Sequence, residues 1–307
     1  MVLVVGATGV LGGMITRQLL AQGEEVRILV RRNSPSEELA KQGMATPAQS
    51  LIDAGAQPVY GDLKDRASLD AACRGIDTVL TTANSAMRGG ADNVETVDLE
   101  GNRNLIEAAE AAGVRAFVFT SANGAAANHP MPFFQAKGAS EERLRASVMD
   151  YTILSPTIFA ESWIGRVVGE PLQAGQPVTL VGEARRRHAF VSIADVAAFA
   201  SAAVDNPAAR NRRLVIGGPE SVSWRDIVAS CEQVLGLEIP VQFAAPCEPI
   251  AGMPEEVVQL VAALETFDSV VDMTGTARTF GVELKTLEVI VGRMFAGPNN
   301  ATWEVRT

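Results

Sequence analysis

The sequence predicts an α/β protein, a doubly wound parallel sheet with a smaller C-terminal lobe. Short continuous apolar runs alternate with segments of helical period through the first half of the chain. A glycine-rich turn joins the first run to the first helical segment, and the alternation loosens after about residue 160. Repeated strand and helix with little linker between them implies parallel strands joined by right-handed crossovers.

VLVVG, residues 2–6, is an unbroken apolar run of the kind buried on both faces of a parallel sheet. Leu11, Ile15 and Leu19 then recur at helical spacing, and Gly23 closes that helix. EEVRILV (24–30) is a second strand. The polar stretch 33–50 lengthens the following crossover as helix plus surface loop. QPVY, a helix near 67–73, DTVLTT, a long helix near 94–112, AFVFTS, a helix carrying Lys137, and YTILS continue the pattern. FVSIADVAAFASAAV returns toward the main sheet with Asp195 as the cap of its helix, and RRLVIGG with VSWRDIVASCEQVLG adds one more strand and helix, capped by Ser221 or Ser223. From 254 to 291 the sequence reads as two amphipathic helices, with Val257, Leu260, Val261 and Leu264 at helical spacing; the tail at 298–307 reads as loose. The expected division is therefore residues 1–155 and a mixed lobe at 156–307, with about 185–205 returning to the main sheet.

At 307 residues and 47% hydrophobic content the chain can bury a large core. A net charge of -10 opposes nucleic acid and anionic membrane surfaces as bulk partners, so an anionic ligand needs a local basic cluster. Cys73, Cys231 and Cys247 lack paired or CxxC spacing, which suggests neither a disulfide framework nor a metal site and points to a reducing cytoplasm. No apolar run reaches the ~18 residues of a membrane span, and the opening residues lack the zones of a signal peptide.

GATGVLGG, residues 6–13, places Gly6, Gly9 and Gly12 directly after a strand and before a helix. Thr8, Val10 and Leu11 complete the turn. In that context glycines let backbone approach a pyrophosphate, whose charge the free N–H groups and dipole at a helix start stabilise. This is a Rossmann-type dinucleotide site. Where the adenine ribose is free, the end of the second strand usually carries Asp or Glu; here it carries Arg31 and Arg32, whose guanidinium forks suit a 2′-phosphate. NADPH is therefore favoured over NADH, the alternative being solvated surface arginines. Asp62 and the Leu63 backbone, after the third strand, are placed to hold adenine, or Asp62 caps the next turn. Ala83 and Asn84 follow the fourth strand at the sheet's carboxyl edge.

Together with YGDLKDRASLDAACRGIDTVL, VDLEGNRNLIEAAEAAGVRAFVFTSA and YTILSPTIF, the glycine motif resembles the atypical or extended short-chain dehydrogenase/reductases, and among them the NmrA-like and isoflavone-reductase-like group over about residues 1–240. That group mixes reductases with cofactor-binding regulators. The resemblance implies that Lys137 holds the nicotinamide ribose, that Ser121 stands at the family's serine position, and that the Pro156, Thr157, Ile158, Phe159 turn lies against the carboxamide. The wider superfamily pairs such a lysine with a tyrosine four residues earlier. Here that position is Phe133, and the chain's two tyrosines, Tyr60 and Tyr151, fall on other elements. Lys137 is then a ribose clamp and a candidate proton carrier, since burial beside a cation lowers a lysine pKa. Ser121, His129 and His188, the last read as a loop residue after three arginines, are the further donors to test. Phe133, Phe134, Phe159 and Trp163 form either an apolar substrate pocket or core.

Two functions follow. In one, the chain is an NADPH-dependent reductase passing hydride to a small apolar or aromatic acceptor such as a quinone, activated alkene, conjugated carbonyl or iminium compound. In the other, it binds NADP(H) without turnover and acts on a protein partner as sensor or assembly factor. Monomer and homodimer are both compatible with the sequence.

Overall fold

A computed structural model describes residues 1–32, 36–41, 43, 45–86 and 89–295. The readings at Asn33 and in the tail at 298–307 concern residues outside that set. The contacts divide the chain into two compact units, one of Met1–Pro156, Ala194–Val215 and Arg278–Val282, the other of Thr157–Ile193, Ile216–Ala277 and Glu283–Thr307.

The first unit is built on strands β1 (Val2–Val5), β2 (Val26–Val30), β3 (Gln57–Tyr60), β4 (Thr78–Thr81), β5 (Ala116–Thr120) and β6 (Asp150–Pro156). Between them run α1 (Val10–Ala21), α2 (Ser36–Lys41), α3 (Ala48–Asp53), α4 (Arg66–Ala72), α5 (Glu100–Ala111) and α6 (Pro132–Arg145). β1 (VLVV) and β4 (TVLT) are buried at every residue, as central strands of a parallel sheet covered on both faces are. β3 is mostly exposed and carries Pro58, which is tolerated there because β3 is an edge. With β10 (Arg212–Ile216) added from later in the chain, the strand order is β10-β6-β5-β4-β1-β2-β3, with β1 paired in parallel to both β2 and β4. The chain leaves β1 in one direction through β2 and β3, then returns to lay β4, β5 and β6 on the other side. The carboxyl ends of β1 and β4 thus flank the point where strand order reverses, where open α/β sheets bind ligands.

One core joins Leu3, Val79, Phe117 and Ile153 from the sheet to Leu69, Leu105 and Leu144 from α4, α5 and α6. Burying each such side chain contributes roughly 1.5–3 kcal/mol before entropy is charged against it. Asp65 caps α4, its side chain accepting from the backbone of Ala67 and Ser68. The long helix expected near 94–112 begins as a π-helix at Val94–Leu99, capped by the Asn93/Thr96 capping box, and continues as α5. That wider first segment was not foreseen, because π geometry has no periodicity of its own at this length.

The second unit contains β7 (Ile158–Phe159), β8 (Val178–Val181), β9 (His188–Val191), β11 (Ser221–Val222) and β12 (Val241–Ala244). Its short helices α7 (Ala160–Ile164) and α8 (Glu170–Gln173) flank a π-helical turn at Gly165–Gly169. The sheet order is β11-β9-β7 in one sheet and β12-β8 in the other. Phe190 and Trp224 meet edge to face with ring centres 5.2 Å apart in its core.

Three sequence expectations change. Within 185–205 the strand β9 pairs with β7 and β11, not with the main sheet; the strand that joins the main sheet is β10 (Arg212–Ile216). What returns to the first unit from that stretch is helix α9 (Ile193–Ala203), whose apolar face of Val196, Phe199 and Ala200 is buried. Asp195 sits inside the first turn of α9 and not before it. In contrast, Ser223 caps α10 (Trp224–Leu235) in a reciprocal box with Asp226. The region 254–291 forms three helices, α11 (Glu255–Leu264), α12 (Thr274–Phe280) and α13 (Leu287–Phe295), because Asp272 accepts from the Thr274 backbone and restarts the chain as a new helix.

Candidate functional site

Gly6 leaves β1 at φ +87, a left-handed conformation natural to glycine, and a Cβ there would stand 2.7 Å from Thr82 Oγ1 and 2.9 Å from the Ala83 nitrogen. A Cβ on Gly12 would drive into the Gly6 carbonyl. The Gly9 N–H donates to the Gly6 oxygen at 2.9 Å, folding the turn under the start of α1. Gly9 is the N-cap and offers no side-chain cap, and the first turn of α1 carries no acidic residue. The N–H groups of Val10, Leu11 and Gly12 therefore have no intrahelical acceptor, as at the start of any helix, which suits an anion. The Thr8 carbonyl is used structurally, accepting from Thr46 at 2.8 Å.

At the ends of β2 and β3, Arg31 and Arg32 take different partners. Arg31 is ion-paired to Asp92, and Lys64 to the other oxygen of the same carboxylate. Burial would raise the Asp92 pKa, but hydrogen bonds from Lys64 and Arg31 hold it down to about 2. Arg32 lies over the exposed ring of Tyr60, 4.7 Å from its centre. Asp62 takes the local role: its Oδ1 accepts from the Lys64 backbone at 2.9 Å, closing a turn. The Leu63 carbonyl accepts from Asn104 at 3.2 Å. Ala83 abuts Gly6, and the Asn84 side chain accepts from the Ala86 backbone at 2.9 Å.

Lys137 is 2% exposed inside α6. Its Nζ lies 3.5 Å from Asp98 Oδ1, donates to the Thr120 carbonyl at 3.3 Å, and stands 5.1 Å from the ring centre of Phe119 and 5.6 Å from that of Phe133. Burial lowers its pKa and the Asp98 carboxylate opposes that shift. Asp98 is fully buried on the π-helix, where its Oδ2 accepts from the backbone and hydroxyl of Ser85 at 3.0 and 2.6 Å. The other oxygen, Oδ1, has no hydrogen-bond partner. Gly138 follows Lys137 because the backbone of Ala126 and Ala127 crosses α6 where a Cβ would be.

Ser121 donates its hydroxyl to buried Glu141 Oε1 at 2.5 Å, and Glu141 also receives Arg145 at 2.7 Å and Arg213 at 3.1 Å. Glu141, Arg145 and Arg213 line a cavity of about 570 Å³ with the 125–128 backbone. His129 accepts from the Met131 backbone at 3.1 Å and stacks against Phe134, 4.8 Å between ring centres. Phe133 and Phe134 meet edge to face at 5.5 Å. Pro156 ends β6. Thr157, Ile158 and Phe159 belong to the second unit, where the Thr157 N–H donates to the Ile216 carbonyl and its hydroxyl to that of Ala189. Trp163 packs against the core of that unit. His188 is 1% exposed within β9, not in a loop, with Nδ1 2.7 Å from the Ser269 hydroxyl and Nε2 3.0 Å from the Leu264 carbonyl; burial lowers its pKa. The run of arginines before it hid the start of that strand.

Three residues of this constellation escaped the sequence reading. Lys64 lies in the same GDLKD stretch as Asp62 and was passed over. Asp98 had a signal: with Gly101 and Leu105 it falls on the buried stripe of the helix, where a lone carboxylate is out of place. Asp92 had none. Among the described residues no cluster of His, Cys, Asp and Glu is placed to hold a metal, and no helix is long and apolar enough to cross a membrane.

Similarity to known proteins agrees with this architecture. The solved NADPH-dependent quinone oxidoreductase QOR2 of Escherichia coli superposes with a TM-score of 0.76 at 22% identity, covering 96% of this chain and 100% of that one. Photosystem II assembly factor Ycf39 of Synechocystis is 34% identical over 235 residues, 76% of this chain and 68% of that protein. An NAD(P)H azoreductase of Xenophilus azovorans is 26% identical over 298 residues, 91% and 95% of the two chains. The profile of the NmrA-like family runs through residues 1–289, from the glycine turn to the last described helix, and the chain belongs to that family.

Proposed function

We propose that this protein is an NADPH-dependent reductase of small apolar or aromatic acceptors. The observation that carries the reading is the buried Lys137 with its carboxylate partner Asp98 behind the carboxyl end of β5. A buried ion pair is a weak source of stability, so its presence at the end of β5, in a sheet that also carries a dinucleotide-type loop, is better accounted for by a task at the site. The residues fit the cofactor. The Gly6, Gly9 and Gly12 cradle and the uncapped start of α1 suit a pyrophosphate, Arg31, Arg32 and Lys64 suit a 2′-phosphate, and Lys137, ion-paired to Asp98 Oδ1, suits ribose hydroxyls. When bound, NADPH supplies the hydride.

This chain's own residues do the rest. Lys137 holds the ribose hydroxyls, and its lowered pKa makes Nζ the proton source in place of the missing tyrosine. Phe133 keeps that position apolar. A quinone, whose reduced form is a weakly basic phenolate, or a cationic iminium dye, which hydride leaves neutral, needs no stronger acid. Ser121 commits its proton to Glu141 and so enters as an acceptor or a structural link, not as the acid. The similarity to an NAD(P)H azoreductase over nearly the whole chain supports the same class.

Two observations favour a second reading. Phe133 stands where a hydroxyl would complete the proton path, and the chain is more similar to an assembly factor than to the azoreductase by identity. In that reading the protein binds NADP(H) and acts on a protein partner without turnover. Calorimetry with NADPH, followed by NADPH oxidation against quinones, enones and cationic dyes, separates the two: binding with turnover on any acceptor supports the reductase, and tight binding without turnover on all of them supports the regulator.

A further inference from the structure

The cations at the ends of β2 and β3 are already occupied by a carboxylate from elsewhere in the chain. Arg31 closes β2, Lys64 follows β3, and the Gly61 N–H donates to the Val30 carbonyl at 3.1 Å, tying the two strand ends together. Into this pair Asp92 presents one oxygen to each cation, Oδ2 to Arg31 and Oδ1 to Lys64, with its side chain only 15% exposed. That is the arrangement in which two oxygens of a phosphate monoester would engage the same two cations.

The segment bearing Asp92 is a tight turn that meets the ends of β2 and β3 through this carboxylate. Gly89 and Gly90 both have positive φ, at +79 and +63, and nothing lies within 4 Å of where their Cβ atoms would be. The turn is closed by a bond from the Asp92 N–H to the Gly89 carbonyl at 3.2 Å, and it leads directly into the π-helix that carries Asp98.

We propose that Asp92 is an internal occupant of the 2′-phosphate site, so that NADP(H) binds by exchanging this carboxylate for phosphate and releasing the 89–93 turn, whereas NAD(H) leaves it in place. The inference rests on the dinucleotide-binding reading above and adds a specificity residue to it. Its physical basis is competition: a ligand whose site is filled by the protein's own group binds in proportion to the fraction of molecules in which that group is out. Asp92 therefore lowers affinity for the phosphorylated cofactor alone. It also ties the turn's position to which nucleotide is bound.

Calorimetry on the full chain with NADPH, NADH, 2′,5′-ADP and 5′-AMP tests this in wild type, Asp92→Asn and Lys64→Ala. Asp92→Asn should tighten NADPH and 2′,5′-ADP by on the order of tenfold while leaving NADH and 5′-AMP within about twofold. Lys64→Ala should weaken only the phosphorylated pair. Amide exchange across 89–93 should accelerate when NADPH binds to wild type and not when NADH does. An unchanged NADPH-to-NADH ratio in Asp92→Asn, or equal or slower exchange at 89–93 with NADPH, overturns the inference while leaving the cofactor reading intact. Failure of both dinucleotides to bind wild type overturns the cofactor reading and the inference with it.

Discussion

Lys137 Nζ and Asp98 Oδ1 lie 3.5 Å apart, on different helical elements and both withdrawn from solvent. Each charge is tolerable only because the other is there. Neutralising one alone, as Asp98→Asn or Lys137→Met, should destabilise the fold by about 3–5 kcal/mol. The double variant should recover most of that loss yet fail to oxidise NADPH. Urea unfolding of the four proteins checks the cycle, and losses that simply add would show that the two residues are not a functional pair.

Phe133 stands four residues before Lys137 on α6, its ring centre 5.6 Å from Nζ. Phe133→Tyr should restore a titratable hydroxyl beside an ammonium. Steady-state assays should then show carbonyl reduction rising by about 10²-fold or more, the usual worth of a positioned acid, with quinone reduction little altered. A variant equally inactive on carbonyls would place the proton path elsewhere.

Two glycines in one turn should respond unequally to alanine. A Cβ on Gly12 strikes the Gly6 carbonyl, which cannot retreat without dismantling the turn; a Cβ on Gly9 meets the same oxygen at 3.3 Å, from a backbone conformation open to any residue. Gly12→Ala should abolish nucleotide binding measured by calorimetry, and Gly9→Ala should weaken it by less than about tenfold. Equal effects would mean that the loop does not cradle a ligand closely.

His188 is buried and hydrogen-bonded through both ring nitrogens, and burial sets its folded pKa below the usual 6.5. The unfolded chain then takes up its proton first, so the stability this residue contributes is complete above pH 6.5 and is lost as pH falls through the folded pKa. Thermal unfolding between pH 8 and pH 5 should show stability declining below pH 6.5 with a slope of up to ~1.4 kcal/mol per pH unit from this group. His188→Gln should flatten that slope. A slope unchanged by the substitution would assign it to other groups.

Much of the first unit was written in local pattern. Unbroken apolar runs such as VLVVG mark central strands wherever they occur, because a strand covered on both faces has no polar side to show. The glycine turn was legible because each glycine answers a steric demand of its own neighbourhood. Lys137 was legible as well, and so was the absence of a tyrosine at Phe133, since a spacing of four along one helix is a local fact. The partners were not. Asp98 reaches Lys137 from 39 positions away in numbering (137 − 98), and Asp92 reaches Arg31 across 61, so only the folded chain could pair them. Ser121 read as a candidate donor to substrate, and its hydroxyl instead donates to Glu141. His188 looked exposed until β9 carried it inward. The sequence alone determined the alternation of strands and helices in the first unit and the glycine turn, because those follow from short-range sterics and period. Tertiary structure decided which charges are paired, buried or already occupied, because electrostatic environment depends on neighbours that chain order does not reveal.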